Sequence, residues 1–93
     1  MSAELVTPTE QELARIWVEI LELDSVSRDQ DFFDIGGDSL TATKVVLLAR
    51  RAWNVRFTVR VLLDSPVLKD LAERIDILTA AAASTPEGLP GSA

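Results

Sequence analysis

The sequence predicts an all-α domain of four helices, the third of them short, with a long loop between the first and second. Three observations carry this reading. Apolar residues recur at helical spacing in three separate stretches, Leu13 to Leu21, Ala42 to Trp53 and Leu68 to Leu78. A cap signal precedes each of them: Thr7-Pro8, Asp38 and Ser65-Pro66. The one stretch that alternates like a strand, Val55 to Val61, has no second strand to pair with, and a lone strand is not stable.

Met1 to Val6 carries no pattern. Thr7 reads as an N-cap with Pro8 in the first turn and Glu10 reaching back as in a capping box; Thr9 with Glu12 offers the same box two residues on. Leu13, Ile16, Trp17, Ile20 and Leu21 then line one side of a helix ending near Leu23, with Glu12, Arg15, Glu19 and Glu22 on the other. Asp24 to Gly37 is a connection long enough to be functional. Ser27 and Gln30 suit one short helical turn there, and Val26, Phe32, Phe33 and Ile35 are expected to pin the segment to the core.

The second helix runs from Leu40 to Trp53, capped by Asp38 and opened by Ser39. At about 100° per residue, Ala42, Val45, Val46, Ala49, Ala52 and Trp53 form its core face. Leu40, Thr43, Lys44, Leu47 and Arg51 gather opposite, with Leu48 between. Two leucines in line among polar residues mark a partner surface. Thr58 is expected to cap a short third helix over 59–63. Ser65-Pro66 is expected to start the last one, ending near Ala80, and Ser84 to Ala93 has the composition of a flexible tail. The resulting division is a lead over 1–8, a folded domain over 9–80 and a tail over 81–93.

Composition narrows the chemistry. The chain has 93 residues, of which 47% are hydrophobic, enough for one small core. It contains neither cysteine nor histidine, so thiolate chemistry, the usual zinc sites and imidazole acid–base catalysis are excluded. The net charge of −6 argues against nucleic acid. No apolar run reaches membrane-spanning length and no secretory signal opens the chain, so a cytoplasmic, monomeric domain is expected. The charge is also uneven. Residues 1–38 hold ten acids against two bases, whereas residues 39–76 hold seven bases against four acids.

The chain is organised around Asp34-Ile35-Gly36-Gly37-Asp38-Ser39-Leu40. Two glycines permit backbone angles that side chains forbid and leave the surface bare for close approach. The start of the following helix, with its unpaired amides and positive dipole end, suits a phosphate. A hydroxyl at Ser39 is placed to carry a phosphodiester; an ordinary loop-to-helix turn reads the same residues without one. Gly37-Asp38-Ser39-Leu40-Thr41 lacks the last glycine, the strand and the histidine of a hydrolase nucleophile elbow. Asp29, Asp31 and Asp34 fail the calcium-loop pattern, because Phe33 and Asp34 stand where a ligand and the turn glycine belong. No catalytic pair emerges.

Asp31-Phe32-Phe33-Asp34-Ile35-Gly36-Gly37-Asp38-Ser39-Leu40 resembles the core signature of the peptidyl carrier (thiolation) domains of nonribosomal peptide synthetases. The order around it, Ile16-Trp17 and Ile20-Leu21 before, Ser65-Pro66 and Leu71-Ala72 after, is similar too, over roughly Thr9 to Ala80. The resemblance implies an acyl-carrier-like four-helix bundle with no catalytic activity of its own. It implies 4′-phosphopantetheine from coenzyme A, esterified to Ser39 by a Mg²⁺-dependent phosphopantetheinyl transferase, with Gly37 and Asp38 beside it. An aminoacyl, aryl or peptidyl group would ride on the arm as a thioester. The implied partners are an adenylation (loading) enzyme and condensation, epimerisation or tailoring enzymes, met through Leu40, Lys44 and Leu47.

Asp38 stands where many peptidyl carriers have His, a form similar to carriers that work with epimerisation domains and to some free-standing ones. The Met start and short tail look like a free-standing (type II) carrier. Two alternatives stay open: an acyl carrier of a polyketide or fatty-acid pathway, whose serine helix is usually acidic where this one bears Lys44, Arg50 and Arg51, and a helical adaptor with no prosthetic group.

Overall fold

The computed structural model describes residues 5–84. Within them the chain forms four helices: α1 (Pro8–Leu21), α2 (Ser39–Trp53), α3 (Val59–Asp64) and α4 (Leu68–Ser84). α1 packs against α2 and α4, and α3 closes the bundle against α2 and α4. The expected architecture, including the short third helix and the long first loop, is the one observed.

Local chemistry sets most of the ends. The Thr7 hydroxyl accepts from the Glu10 amide at 3.1 Å, while the Glu10 carboxylate accepts from the Val6 amide at 2.8 Å. The Thr9 hydroxyl does not cap; it donates to Asp76 on α4. α1 stops at Leu21, two residues before the expected end, because Glu22 turns left-handed (φ 57°) and donates its amide to Val18. Asn54 (φ 54°) closes α2 in the same way. Thr58 caps α3 as its sequence predicts.

The start of α4 corrects the sequence reading. Ser65 ends α3 instead of capping α4, and Pro66 precedes the helix rather than opening it. The reason lies in the long loop. The Leu68 amide donates to the Gln30 carbonyl and the Lys69 amide to that of Arg28, each at 3.0 Å. The loop thus serves the otherwise orphaned first-turn amides, and no side-chain cap is required. Phe32 donates its amide to the Pro66 carbonyl at 2.8 Å, and Asp31 forms an isolated antiparallel bridge with Val67. α4 then continues past Ala80 to Ser84. The expected tail otherwise lies outside the described residues. Ser27 and Gln30 form a turn, closed by the Gln30 side chain on the Ser27 amide, not a helix.

The core gathers one face of every element. Leu13 and Trp17 of α1, Val45 and Ala49 of α2, Leu62 of α3, and Leu68, Leu71 and Ile75 of α4 are closed to solvent, with Phe32 and Phe57 from the connections. Trp17 and Phe32 meet edge to face, centroids 5.1 Å apart. Two expectations fail. Ala52 is exposed and lines an open cleft beside α1, whereas Trp53 is half-buried and packs against the core as expected. Phe33 is 36% exposed, its ring set against Phe32 at 5.2 Å. The Asp31 carboxylate accepts from the Phe33 amide at 2.8 Å, a local turn that brings the two consecutive rings edge to face.

Candidate functional site: a serine at the start of a helix

The site is held from behind by the loop. Glu10, only 3% exposed, receives two hydrogen bonds from the Arg28 guanidinium at 3.0 and 2.9 Å. Those bonds hold the Glu10 carboxyl below the usual carboxylate range, against the opposing effect of burial. Asp29 pairs with Lys69 at 2.9 Å. The start of 28–32 is therefore clamped to α1 and α4, and Phe32 at its other end is closed to solvent in the core. Arg28 is the residue that sequence reasoning passed over. Its partner lies eighteen positions away, and the only hint was a lone base in an acidic stretch.

From Phe32 the chain turns once to reach the serine. Gly36 takes φ 114°, a conformation L side chains rarely adopt, with open space around it. Gly37 does a different job. A Cβ there would lie 2.3 Å from the Phe32 ring and 2.6 Å from the Phe32 carbonyl, which accepts the Gly37 amide at 2.9 Å. Gly37 thus lets the loop seat directly on the buried ring; its bareness faces the core and not the solvent.

Asp38 and Thr41 form a reciprocal capping box. The Asp38 carboxylate accepts from the Thr41 amide at 2.9 Å, and the Thr41 hydroxyl accepts from the Asp38 amide at 2.8 Å. The Thr41 amide, followed by its hydroxyl, keeps the Asp38 carboxyl below its ordinary range, and more weakly so does Lys44. A hydroxyl three residues after the cap was the sequence signal for Thr41. Ser39 is the first residue of α2 and is exposed. Among the described residues nothing hydrogen-bonds its hydroxyl; only its carbonyl is engaged, by the Thr43 hydroxyl at 3.0 Å. Gly37, Asp38 and Ser39 stand in succession where the loop enters α2, with Gly37 seated on Phe32.

Leu40 and Leu47 are 67% and 55% exposed, and Lys44 between them is exposed as well. Leu63 on α3 is a further exposed apolar side chain that periodicity did not single out. Among the described residues no group of acids gathers as a metal site, and no helix is long and apolar enough to cross a membrane.

The four-helix bundle thus displays an unengaged serine hydroxyl at the first position of α2. The chain belongs to the phosphopantetheine attachment site family, whose model matches residues 11–75. It is 42% identical over 78 residues to phosphinothricin tripeptide synthetase PhsB of Streptomyces viridochromogenes, covering 84% of this chain and 6% of the synthetase. It superposes on a solved nonribosomal PCP domain with a TM-score of 0.70 and 38% identity, over 76% of this chain and 91% of that one. A chain in the structure of the phosphopantetheine transferase Sfp in complex with coenzyme A and a peptidyl carrier protein matches with a TM-score of 0.78 and 29% identity, over 81% and 97%. The protein is a peptidyl carrier (thiolation) domain whose cofactor is covalent 4′-phosphopantetheine, and it is a carrier rather than a catalyst. It spans 6% or less of the length of the first curated synthetases it matches.

Proposed function

We propose that Ser39 is the residue that bears the phosphopantetheine and that the domain presents an aminoacyl, aryl or peptidyl thioester to partner enzymes of nonribosomal peptide biosynthesis. The observation that carries this reading is the free, exposed Ser39 hydroxyl at the first position of α2. The helix dipole favours an anionic phosphodiester there. Asp38 and Thr41 hold the helix start so that the hydroxyl keeps one position while a transferase engages it. The bound group supplies a thiol on a long arm, which a chain without cysteine cannot supply itself. The chain's own part is to anchor the arm and raise the effective concentration of its cargo at each partner.

The partners in this reading are a phosphopantetheinyl transferase, an adenylation enzyme, and condensation, epimerisation or tailoring enzymes. They meet α2 through Leu40, Lys44 and Leu47. Exposed leucines beside an unpaired lysine favour partners with an apolar, acidic face. The test is incubation with coenzyme A and a broad-specificity transferase, followed by intact-protein mass spectrometry. One phosphopantetheine should add to the native chain and none to Ser39→Ala, which should stay folded because Asp38 and Thr41 remain. Modification of Ser39→Ala would refute the assignment.

A further inference from the structure

A thioester gives up its acyl group to an amine or a thiol that reaches it, so the nucleophiles within reach of the arm decide how long its cargo lasts. The chain has no cysteine, no histidine and only two lysines, Lys44 and Lys69. Its arginines stay protonated and are not nucleophiles. The hydroxyls that follow Ser39 are occupied. Thr41 closes the capping box with Asp38, and the Thr43 hydroxyl donates to the Ser39 carbonyl at 3.0 Å.

The two lysines stand in different surroundings. Lys69 is half-buried, with its ammonium on Asp29 at 2.9 Å and its backbone amide on the Arg28 carbonyl at 3.0 Å. Lys44 is exposed and takes part in no salt bridge among the described residues. It lies on the serine's own helix, five residues on, a rise of about 8 Å at 1.5 Å per residue. Its charge is felt at the helix start, where it helps to hold the Asp38 carboxyl low. Val45 and Val46 beside it are buried in the core, which fixes this part of α2. A phosphodiester followed by two amide-linked segments is longer than that separation and turns about many single bonds. The end of such an arm meets Lys44 as an intramolecular partner, at the roughly mM effective concentration of a short flexible tether.

We infer that Lys44 is an acyl-acceptor site, to which the domain transfers a stalled acyl group from its own thioester as a stable amide. The inference rests on the carrier reading, with the arm on Ser39. Nζ loses one proton to solvent and attacks the thioester carbonyl. The C–N bond forms, the C–S bond breaks, and the sulfur leaves with a second proton from nitrogen as the free thiol. No oxidant, reductant or further reactant is consumed. The transfer clears the arm for reloading and removes the positive charge of Lys44 from the exposed face of α2. An enzyme docked over Lys44 blocks the reaction, so the amide records time that the loaded domain spends undocked.

The test loads the full chain with acetyl-coenzyme A and a promiscuous transferase, removes both, and incubates the product. Transfer leaves the intact mass unchanged. Samples are therefore treated with neutral hydroxylamine, which cleaves thioesters and spares amides, and their peptides are mapped by mass spectrometry. The native chain should retain acetyl on Lys44, formed at a first-order rate that does not depend on protein concentration. Lys44→Arg, which keeps the charge, should load and then retain none. Ser39→Ala in about 0.1 mM free acetyl-coenzyme A should acetylate Lys44 on the order of ten times more slowly, because it lacks the tether. An equal rate in Ser39→Ala, a rate that rises with protein concentration, or acetyl on Lys69 as readily as on Lys44 overturns the intramolecular assignment. Complete release by hydroxylamine for as long as the thioester survives overturns the site. A chain that gains no acetyl-phosphopantetheine at all overturns the carrier reading itself, and the acceptor site with it.

Discussion

Gly36 and Gly37 look interchangeable in the sequence, yet each answers a different constraint. Gly36 is required by its backbone angle and Gly37 by the ring beneath it. Gly37→Ala must push the loop off Phe32, and overpacking of this kind typically costs about 1–3 kcal/mol. The expected outcome is a lower denaturation midpoint together with slower phosphopantetheinylation, since the displaced loop carries Asp38. The adjacent phenylalanines separate just as sharply. Phe32→Ala removes a ring closed to solvent, for which about 3–5 kcal/mol is typical. Phe33→Ala loses one edge-to-face contact on a partly exposed ring, about 1 kcal/mol. Urea titration of the two variants checks the ordering, and equal losses would refute the inward and outward placement of the rings.

At the scale of elements, the long loop acts as a cap for α4 and as the mount for α2. Its hinge pin is the Glu10–Arg28 pair. Removing one member of a buried pair commonly costs ~3–5 kcal/mol. Because the Arg28 side chain is 30% exposed, a smaller loss is expected for Arg28→Ala. The pH dependence follows from the lowered Glu10 carboxyl. A carboxyl whose folded value lies below its unfolded one contributes stability that is complete above the unfolded value. That stability is lost as pH falls through the folded value. The gap between native and Arg28→Ala proteins should thus be constant near neutral pH and should narrow below a pH of about 4. Thermal melts across that range measure it, and a gap that widens in acid would contradict the pairing. On α2 the exposed stripe is separable from folding. Leu47→Asp should leave the thermal midpoint nearly unchanged while slowing modification or loading, because little Leu47 surface is withdrawn from water in the free domain. Unfolding of this variant would place Leu47 in the core.

For the whole molecule, the loop and the bundle share one core. Trp17 of α1 touches Phe32 of the loop, and both are closed to solvent. Nothing in that arrangement lets the serine-bearing turn melt ahead of the helices. Helical circular dichroism and tryptophan fluorescence should therefore trace a single coincident transition. A separate, earlier fluorescence change would show that the loop unfolds on its own. The uneven charge acts at the same scale. Lys44 and Arg51 sit on a chain that is otherwise acidic, and any steering of acidic partners by them should weaken as salt shortens the screening length to about 10 Å at 0.1 M. A modification rate that does not change with salt would leave the stripe's apolar residues to act alone.

Much of this was legible in the amino-acid order, for a physical reason: helices announce themselves locally. A 3.6-residue period, a hydroxyl or carboxylate cap and a proline in the first turn are all short-range features. From these α1, α2 and α3 could be placed to within two residues, with Asp38 and Ser39 at the start of α2 and Leu40 and Leu47 on its exposed face. The absence of histidine and cysteine likewise limited the chemistry without any coordinates. What the order could not express was who serves whom at long range. The amides at the start of α4 are satisfied by carbonyls some forty residues earlier, so Ser65-Pro66 looked like a cap and is not one. Glu10 shares its carboxylate with Arg28, Gly37 yields its space to Phe32, and Ala52 is left exposed on an open cleft beside α1. Each depends on the distance between groups remote in the chain, which only the packed tertiary structure decided.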